Sequence, residues 1–500
     1  MGKKEEASSE YLRASKLVQD PTKASEFITL SEKSFDTFEK EIIVPENAKD
    51  KGLDAISFTP NTNFPGLSNA VNIVYEDTKG RFGVATRDIQ VGEYIGVEEP
   101  VVSRIKKMYQ GSHCNGCMQS LEDSCFLPCL HCEDANYCSL VCRSKSFESY
   151  HKYECGLSTF LEDALIKMKG KSSEIDDYYR LGFRSISQRP MEYFRKSYNE
   201  LINASSQLEK DQIFDQKDYK SLSSLVDNYK DGEKDNLWVQ ISVCFIIRSL
   251  REKGYFGESN SKKLNSKSLS NDERIIANLC RRFIQILKYN THGVFEAFSY
   301  KDVRSRVFAN GIYSNLAMLN HSCAPNVTKF FRGNKVYVLA SAYILKGTEI
   351  SENYFPYYIF MDKHTRMPWL KDHYCFECNC VACFSNYPLL SDMQKTCPRN
   401  YLCSKCKVVL ESEKESNEYL VCSKCSEKFL YENLKNDVVG LQDELQYRFD
   451  NKLCPEALLE IGQTLATKVV EPDPHLYKFQ KLFGFSVKYM KGNKAPLYVI

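Results

Sequence analysis

The sequence predicts an α+β protein: short strands and helical layers, with compact metal-binding modules set between them. Three observations carry that prediction. The 21 cysteines are clustered, with none in residues 1–113, eight in 114–155 and ten in 323–425. Chelation needs ligands close together, whereas thiols that merely fill a core would be scattered. Apolar residues alternate with period two around 70–102 and 327–342, and they recur at helical spacing through 157–290 and after about 430.

Taken in order, residues 1–67 are rich in Lys, Glu and Ser, with one helical-looking patch at Phe35–Ile43, and read as a tail or a helical stump. The opening Met1-Gly2-Lys3-Lys4-Glu5-Glu6 is charged and no apolar stretch follows it, so no secretory signal is expected. The longest apolar run, Val239–Ile247, contains Gln240 and Ser242 and is too short to span a bilayer. An intracellular protein with reduced thiols is therefore expected, in cytoplasm and nucleus. From Ala70, Val71, Ile73 and Tyr75 alternate ahead of Gly80-Arg81-Phe82-Gly83-Val84, and Tyr94, Ile95, Val97, Val101 and Val102 continue the strand character. Leu157–Met168, Tyr178–Leu201, Leu237–Leu250 and Ile275–Lys288 have helical spacing, and Leu237–Ile247 is apolar nearly all round, as in a buried helix. Polar loops are expected at 203–235 and 254–272. Strands return at Val327–Phe331 and Val336–Ala342 about an Arg332-Gly333-Asn334 turn. Helices close the chain at Val438–Phe449, Pro455–Val469 and His475–Met490.

Composition excludes several classes. Lys plus Arg number 67 and Asp plus Glu 65, leaving a formal net charge of +2 and no basic footprint for bulk nucleic-acid binding. With 43% hydrophobic and 26% charged residues the chain is globular rather than disordered.

The cysteine spacings carry the chemistry. Cys114-x2-Cys117, Cys129-x2-Cys132, Cys138-x3-Cys142 and His151-x3-Cys155 supply eight donors, enough for two tetrahedral zinc sites. A second group is Cys378-x-Cys380-x2-Cys383, one ligand short of a closed site, with Cys323 and Cys375 as candidates for the fourth. A third, Cys403-x2-Cys406 and Cys422-x2-Cys425 fifteen residues apart, has zinc-ribbon spacing, with the charged stretch Glu411–Glu418 as its solvated loop. Such a closed four-thiolate site is structural and does no catalysis.

The motifs and their order resemble one family. The first cluster is similar to a MYND finger. That pattern implies one zinc on Cys114, Cys117, Cys138 and Cys142, and another on Cys129, Cys132, His151 and Cys155. Gly80-Arg81-x-x-Val84-Ala85-Thr86 resembles the strand of a SET domain beside which the cofactor enters. Asn320-His321-Ser322-Cys323-x-Pro325-Asn326 and Glu349-Ile350-Ser351-Glu352-Asn353-Tyr354 look like the two halves of its pseudoknot, and Tyr374–Cys383 like its post-SET tail. A finger inside a SET domain, followed by helices, is the layout of SET-and-MYND lysine methyltransferases, and the extra ribbon points to their fourth subtype, which usually carries helical repeats ahead of the SET domain.

The resemblance implies a β-rich SET fold with a pseudoknot, divided as follows. Residues 1–67 form the tail, 68–110 the first SET segment, 111–156 the MYND finger and 157–290 a helical insert. Residues 291–372 form the SET core, 373–384 the post-SET tail, 385–430 the ribbon and 431–500 the helical C-terminal region. It implies S-adenosylmethionine as cofactor, about four Zn2+ ions and a protein lysine as methyl acceptor. By analogy Lys79, Gly80, Arg81, Asn320, His321, Tyr354 and Phe376 bind the cofactor, and Tyr354 is catalytic. Cys323, Cys378, Cys380 and Cys383 hold the post-SET zinc, and Cys403, Cys406, Cys422 and Cys425 remain for the ribbon. A rival class is an adaptor whose finger recruits proline-rich partners or co-repressors, with a weak or inactive SET core. A monomer without membrane or direct nucleic-acid partners is expected.

Overall fold

The computed structural model of the chain describes residues 58–121, 126–157, 173–205, 213–228, 235–257, 268–299, 304–393, 400–413, 416–452 and 454–494. The Phe35–Ile43 patch, the Leu157–Met168 helix beyond Leu157, Cys125 and Cys397 lie outside the described residues. The first alternating run forms β1 (Val71–Glu76), burying Val71 and Ile73 and exposing Asn72. A turn leads into β2 (Gly80–Ala85), which pairs antiparallel with β1 from Val71↔Ala85 to Glu76↔Gly80. Gly80 sits at φ +70°, where a side chain is disfavoured. β3 (Tyr94–Glu98) and β4 (Val102–Ile105) complete the first segment.

The cysteine-rich module that follows is small: β5 (Leu127–Pro128) pairs with β6 (Asn136–Tyr137), and α1 (Leu140–Ser146) begins where the Ser139 hydroxyl accepts the Cys142 amide at 3.2 Å. A wider π-type turn, Phe147–His151, buries His151.

The helical layer comprises α2 (Ser173–Ser187), α3 (Met191–Ile202), α4 (Asp235–Glu252) and α5 (Asn271–Asn290). Three expectations are corrected here. The Tyr178–Leu201 stretch is two helices, because Pro190 stands at the start of α3, has no amide to donate and disfavours helical backbone before it. The Leu237–Ile247 run is not buried all round. It turns Ile246 and Leu250 into the core formed with Phe183, Phe194 and Phe283, yet Leu237 is 58% exposed and Cys244 lies on the outer side. The 203–235 loop is not simply polar. Phe214 stacks on Phe64 at 4.9 Å, and a short helix, Tyr219–Ser223, is entirely buried apart from the Lys220 side chain.

The chain then returns to β-structure with β7 (His292–Ser299), β8 (Arg304–Ile312), β9 (Val327–Arg332), β10 (Lys335–Ala340) and β11 (Glu349–Ile350). These strands build three small sheets with the earlier ones, in the orders β1-β2-β11, β3-β10-β9 and β4-β8-β7. Each sheet thus joins strands from both sides of the finger and helical layer. Val71, Ile95, Val294, Phe308, Phe331, Val338 and Ile350 form their shared core. On β9 the period-two alternation sends Phe331 inward and Phe330 to the opposite face, where it stacks on Tyr337 at 4.7 Å.

After α6 (Lys363–Tyr374), the stretch expected as a solvated loop is instead a hairpin. In it β12 (Glu411–Glu413) pairs with β13 (Ser416–Val421), which also pairs with β14 (Lys428–Leu430). Its Glu411, Ser412 and Glu418 are exposed, while Leu420 of β13 packs inward beside Leu410. The chain ends in α7 (Tyr431–Lys452), α8 (Pro455–Ala466) and α9 (Pro474–Lys491). Phe479, Phe483 and Phe485 of α9 share a core with Phe330, Tyr337 and Leu339, fastening the last helices to the outer face of the β3-β10-β9 sheet.

The β9–β10 turn touches the finger: Gly333 lies at φ +58°, and a Cβ there would stand 2.6 Å from the Cys117 carbonyl oxygen. Gly333→Ala is therefore expected to lower the thermal unfolding midpoint by a few degrees, combining a left-handed-backbone cost of roughly 1–2 kcal/mol with that clash. Gly111→Ala, where a Cβ meets nothing within 4 Å, should leave the midpoint unchanged. Circular dichroism melts of the two variants check the contrast.

Candidate active site and metal centres

Two segments distant in sequence run side by side at the centre of the molecule. The Glu352 amide donates to the Asn320 carbonyl at 3.0 Å and the Ser322 amide to the Glu352 carbonyl at 2.8 Å. The Asn326 amide group donates to the Glu349 carbonyl at 2.8 Å and accepts the Ser351 N–H at 2.9 Å, so it stands in for a strand partner. Asn353 donates to the Ser322 carbonyl at 3.0 Å. Glu352 is itself buried between Lys329 and His292, the latter at 2.8 Å. Burial raises the Glu352 pKa, but Lys329 and the hydrogen-bonded His292 outweigh it and hold the carboxyl at about 2.

Beside this crossing opens a cleft of about 550 Å³, within the roughly 300–1,000 Å³ range of small-molecule sites. Lys79, Gly80, Arg81, Asn320, His321, Tyr354 and Phe376 all line it. They do so differently. A Cβ on Gly80 would meet nothing within 4 Å, so its backbone is open to an occupant. Lys79 pairs with Glu349 at 3.2 Å on the rim, and Asn320 reaches the Lys79 carbonyl at 3.4 Å. The Arg81 guanidinium turns away: it donates to the Ser224 carbonyl at 2.6 Å and hydroxyl at 3.1 Å, and burial pushes its pKa down to about 10. Phe82 is buried and is not part of the lining.

His321 spends both ring nitrogens inside the protein. Nδ1 accepts the Tyr354 amide at 3.0 Å, which leaves the proton on Nε2, 3.3 Å from the Cys323 sulfur. Burial pushes its pKa down to about 4, so the ring is neutral. The Tyr354 hydroxyl donates to the Leu319 carbonyl at 2.9 Å, and burial raises its pKa well above 10. The rings of His321, Tyr374 and Phe376 stand around it, Tyr374 at 5.1 Å from Tyr354 and Phe376 at 5.9 Å from His321. Sequence reasoning missed the opposite wall, which comes from the helical layer: Leu225, Val226, Asn228, Tyr289 and Asn290. Nothing in their local pattern marks them. Tyr374, Glu377 and Asn379, in or beside the cysteine motif, are wall residues that proximity could have flagged.

The described residues contain four groups of Cys and His whose donor atoms lie within 4.8 Å of one another. They are Cys114, Cys117, Cys138 and Cys142; Cys129, Cys132, His151 and Cys155; Cys323, Cys378, Cys380 and Cys383; and Cys403, Cys406, Cys422 and Cys425. A tetrahedron with Zn–S bonds of about 2.3 Å separates its sulfurs by about 3.8 Å. The sulfurs of Cys117 and Cys138 are 3.6 Å apart, those of Cys129 and Cys155 3.8 Å, Cys323 and Cys383 3.6 Å, and Cys403 and Cys425 3.7 Å. The donor sets and spacings fit such an ion. Cys323 joins the third group, while Cys375 stands apart as the exposed left-handed cap of α6. The fully buried Arg366, unmarked in the sequence, donates to the Cys383 sulfur at 3.5 Å and so places a positive charge against a cluster of sulfurs that would be thiolates around a metal ion.

The SET domain family matches residues 80–355 of the chain. The chain is 24% identical to the protein-lysine N-methyltransferase SMYD4 of Mus musculus, over 77% of this chain and 54% of that protein. It is 22% identical to the histone-lysine N-methyltransferase SMYD3 of Mus musculus, over 60% and 58%. It is 21% identical to a SET and MYND domain-containing protein of Dictyostelium discoideum, over 72% and 96%. The chain spans about half the length of the SMYD4 proteins it matches.

Two outcomes follow from this geometry. Glu352 has a depressed pKa, so its contribution to stability is complete above its ordinary value near 4.5 and is lost as pH falls toward about 2. Glu352→Gln should lower stability at neutral pH and flatten the fall below pH 4.5, read from unfolding midpoints across pH. Arg366→Met should release the ion of the Cys323 cluster alone, lowering the metal content by one per chain in elemental mass spectrometry, while Arg366→Lys retains it.

Proposed function

Because the chain belongs to the SET-domain family and carries paired Cys/His clusters between the strands of that domain, we propose that it is an S-adenosylmethionine-dependent protein-lysine N-methyltransferase, acting on a histone or non-histone protein. The observation that carries the reading is the convergence of Gly80, Asn320, His321, Tyr354 and Phe376 on one cleft. Its features suit the cofactor: an open glycine backbone, amide and charged groups at the rim, and an aromatic wall for a purine. When bound, S-adenosylmethionine supplies an electrophilic methyl group. The chain's part is to align a neutral amine with it, since such a transfer depends on an in-line approach more than on covalent help. With its proton engaged by Leu319, the Tyr354 oxygen is left to accept a hydrogen bond from the amine, and its raised pKa keeps it uncharged. Tyr354, Tyr374 and Phe376 supply apolar ring faces that disfavour an ammonium. His321 orients the Tyr354 backbone rather than reaching a substrate.

Zn2+ is the ion we assign to the four tetrads, as closed structural sites. The reduced thiols this requires support cytoplasm and nucleus as the compartments. The finger also exposes Val141 and Phe147 on one helical stretch, which supports docking of a proline-rich partner as a second activity.

Calorimetric titration with S-adenosylmethionine should show one binding site per chain; absence of binding would overturn the enzyme reading. Tyr354→Phe should lower methyl transfer by about 100-fold while cofactor affinity stays within about threefold. Equal labelling by both proteins would remove Tyr354 from the chemistry.

A further inference from the structure

Where α9 crosses β9 there is a second cavity, about 260 Å³, smaller than usual for a cofactor and scaled to a side chain or two. Thr328, Tyr357, Phe360, Tyr477, Lys481 and Lys488 stand on its walls. Lys488 is the unusual member. Its ammonium lies over the face of Phe295, 4.7 Å from the ring centre, and no carboxylate among the described residues is within ion-pairing distance. A charge of the same sign acts on it: Lys329, whose own charge is taken up by Glu352. Burial, with Lys329 beside it, pushes the Lys488 pKa down to about 8. A half-buried cation with no counter-ion among the described residues is costly, and an anion entering the cavity relieves that cost.

The cavity is also connected to the first site by the chain itself. Tyr354 lines the cleft, and Tyr357 and Phe360, a few residues on, line the cavity. Phe360 is 65% exposed and meets Tyr477 edge to face at 6.0 Å, an aromatic rim open to a polypeptide. We propose that the cavity is an anion subsite for the protein substrate, in which Lys488 pairs with an aspartate or glutamate within about six residues of the target lysine, since the six-residue path from Tyr354 to Phe360 spans at most roughly 20 Å. This rests on the methyltransferase reading. A carboxylate suits the site better than a phosphate: one inner lysine, with Lys481 only at the margin, matches a single charge, and among the described residues no arginine faces the cavity.

The test uses the full chain and a peptide library with a fixed central lysine and randomised flanks, including phosphoserine. The library is read twice, once as the pool retained by immobilised protein and once as the pool methylated. The expected result is an enrichment of about tenfold for Asp or Glu at one flanking position. It should disappear in Lys488→Met, persist in Lys488→Arg and turn to Lys or Arg in Lys488→Glu. Retention of the enrichment in Lys488→Met, or its absence from both wild-type pools, overturns the subsite. Stronger selection of phosphoserine overturns the carboxylate assignment. A Lys488-dependent enrichment in the retained pool without any methylation leaves the subsite standing and removes the enzyme reading. Methylation without acidic preference does the reverse.

Discussion

The imidazole of His321 lies between the Tyr354 amide and the Cys323 sulfur, and the cleft takes its shape from that wedge. One ring nitrogen fixes where the tyrosine backbone runs. The other faces a sulfur whose position is set by three cysteines of the tail that follows α6. A metal ion in that tetrad would therefore hold more than the tail. Through Cys323 and His321 it would hold the backbone that presents Tyr354 to the cleft. The backbone crossing of Asn320–Asn326 with Glu349–Asn353 supplies the rigidity such a chain of contacts needs.

Buried charge is used at the joints between modules. Glu154, at the end of the finger, meets Arg184 of α2 at 2.6 Å and Arg104 of β4 at 3.9 Å. His113, just ahead of the finger's first cysteine, meets Glu296 of β7 at 2.8 Å, and Arg306 of β8 meets the same carboxylate. Glu352 joins Lys329 of β9 to His292 of β7. Each acid has two basic partners, which offsets its desolvation and makes any other arrangement of these modules costly. Apolar contacts alone would tolerate sliding, whereas these contacts specify one orientation.

How much was legible follows from the range of each signal. Metal-ligand spacing is local, so Cys114, Cys117, Cys403 and Cys406 could be paired on sight. The interleaving of Cys138 and Cys142 with the first pair rather than the second needed a family likeness. Strand alternation at Val71–Tyr75 and Val327–Phe331 was read correctly in kind. Helical spacing overran Pro190, because apolar residues keep their period across a break that only backbone sterics impose. The acidic Glu411–Glu413 stretch looked like a loop because Glu411 and Ser412, on opposite faces of the strand, are both exposed and leave no apolar alternation.

The sequence by itself determined which cysteines and histidine cluster, and the Asn320–His321 and Tyr354 segments that meet at the crossing. Tertiary structure alone decided four things. It turned the Arg81 guanidinium out of the cleft and onto Ser224, built the opposite wall from Asn228 and Tyr289, and set Arg366 against Cys383. It also left Lys488 over Phe295 with no acid beside it among the described residues. The reason is physical. Ligand spacing and periodicity are imposed within a few residues, where the chain's own geometry correlates positions. A wall or a counter-charge is chosen by whichever distant surface packs there, and that choice leaves no period in the sequence.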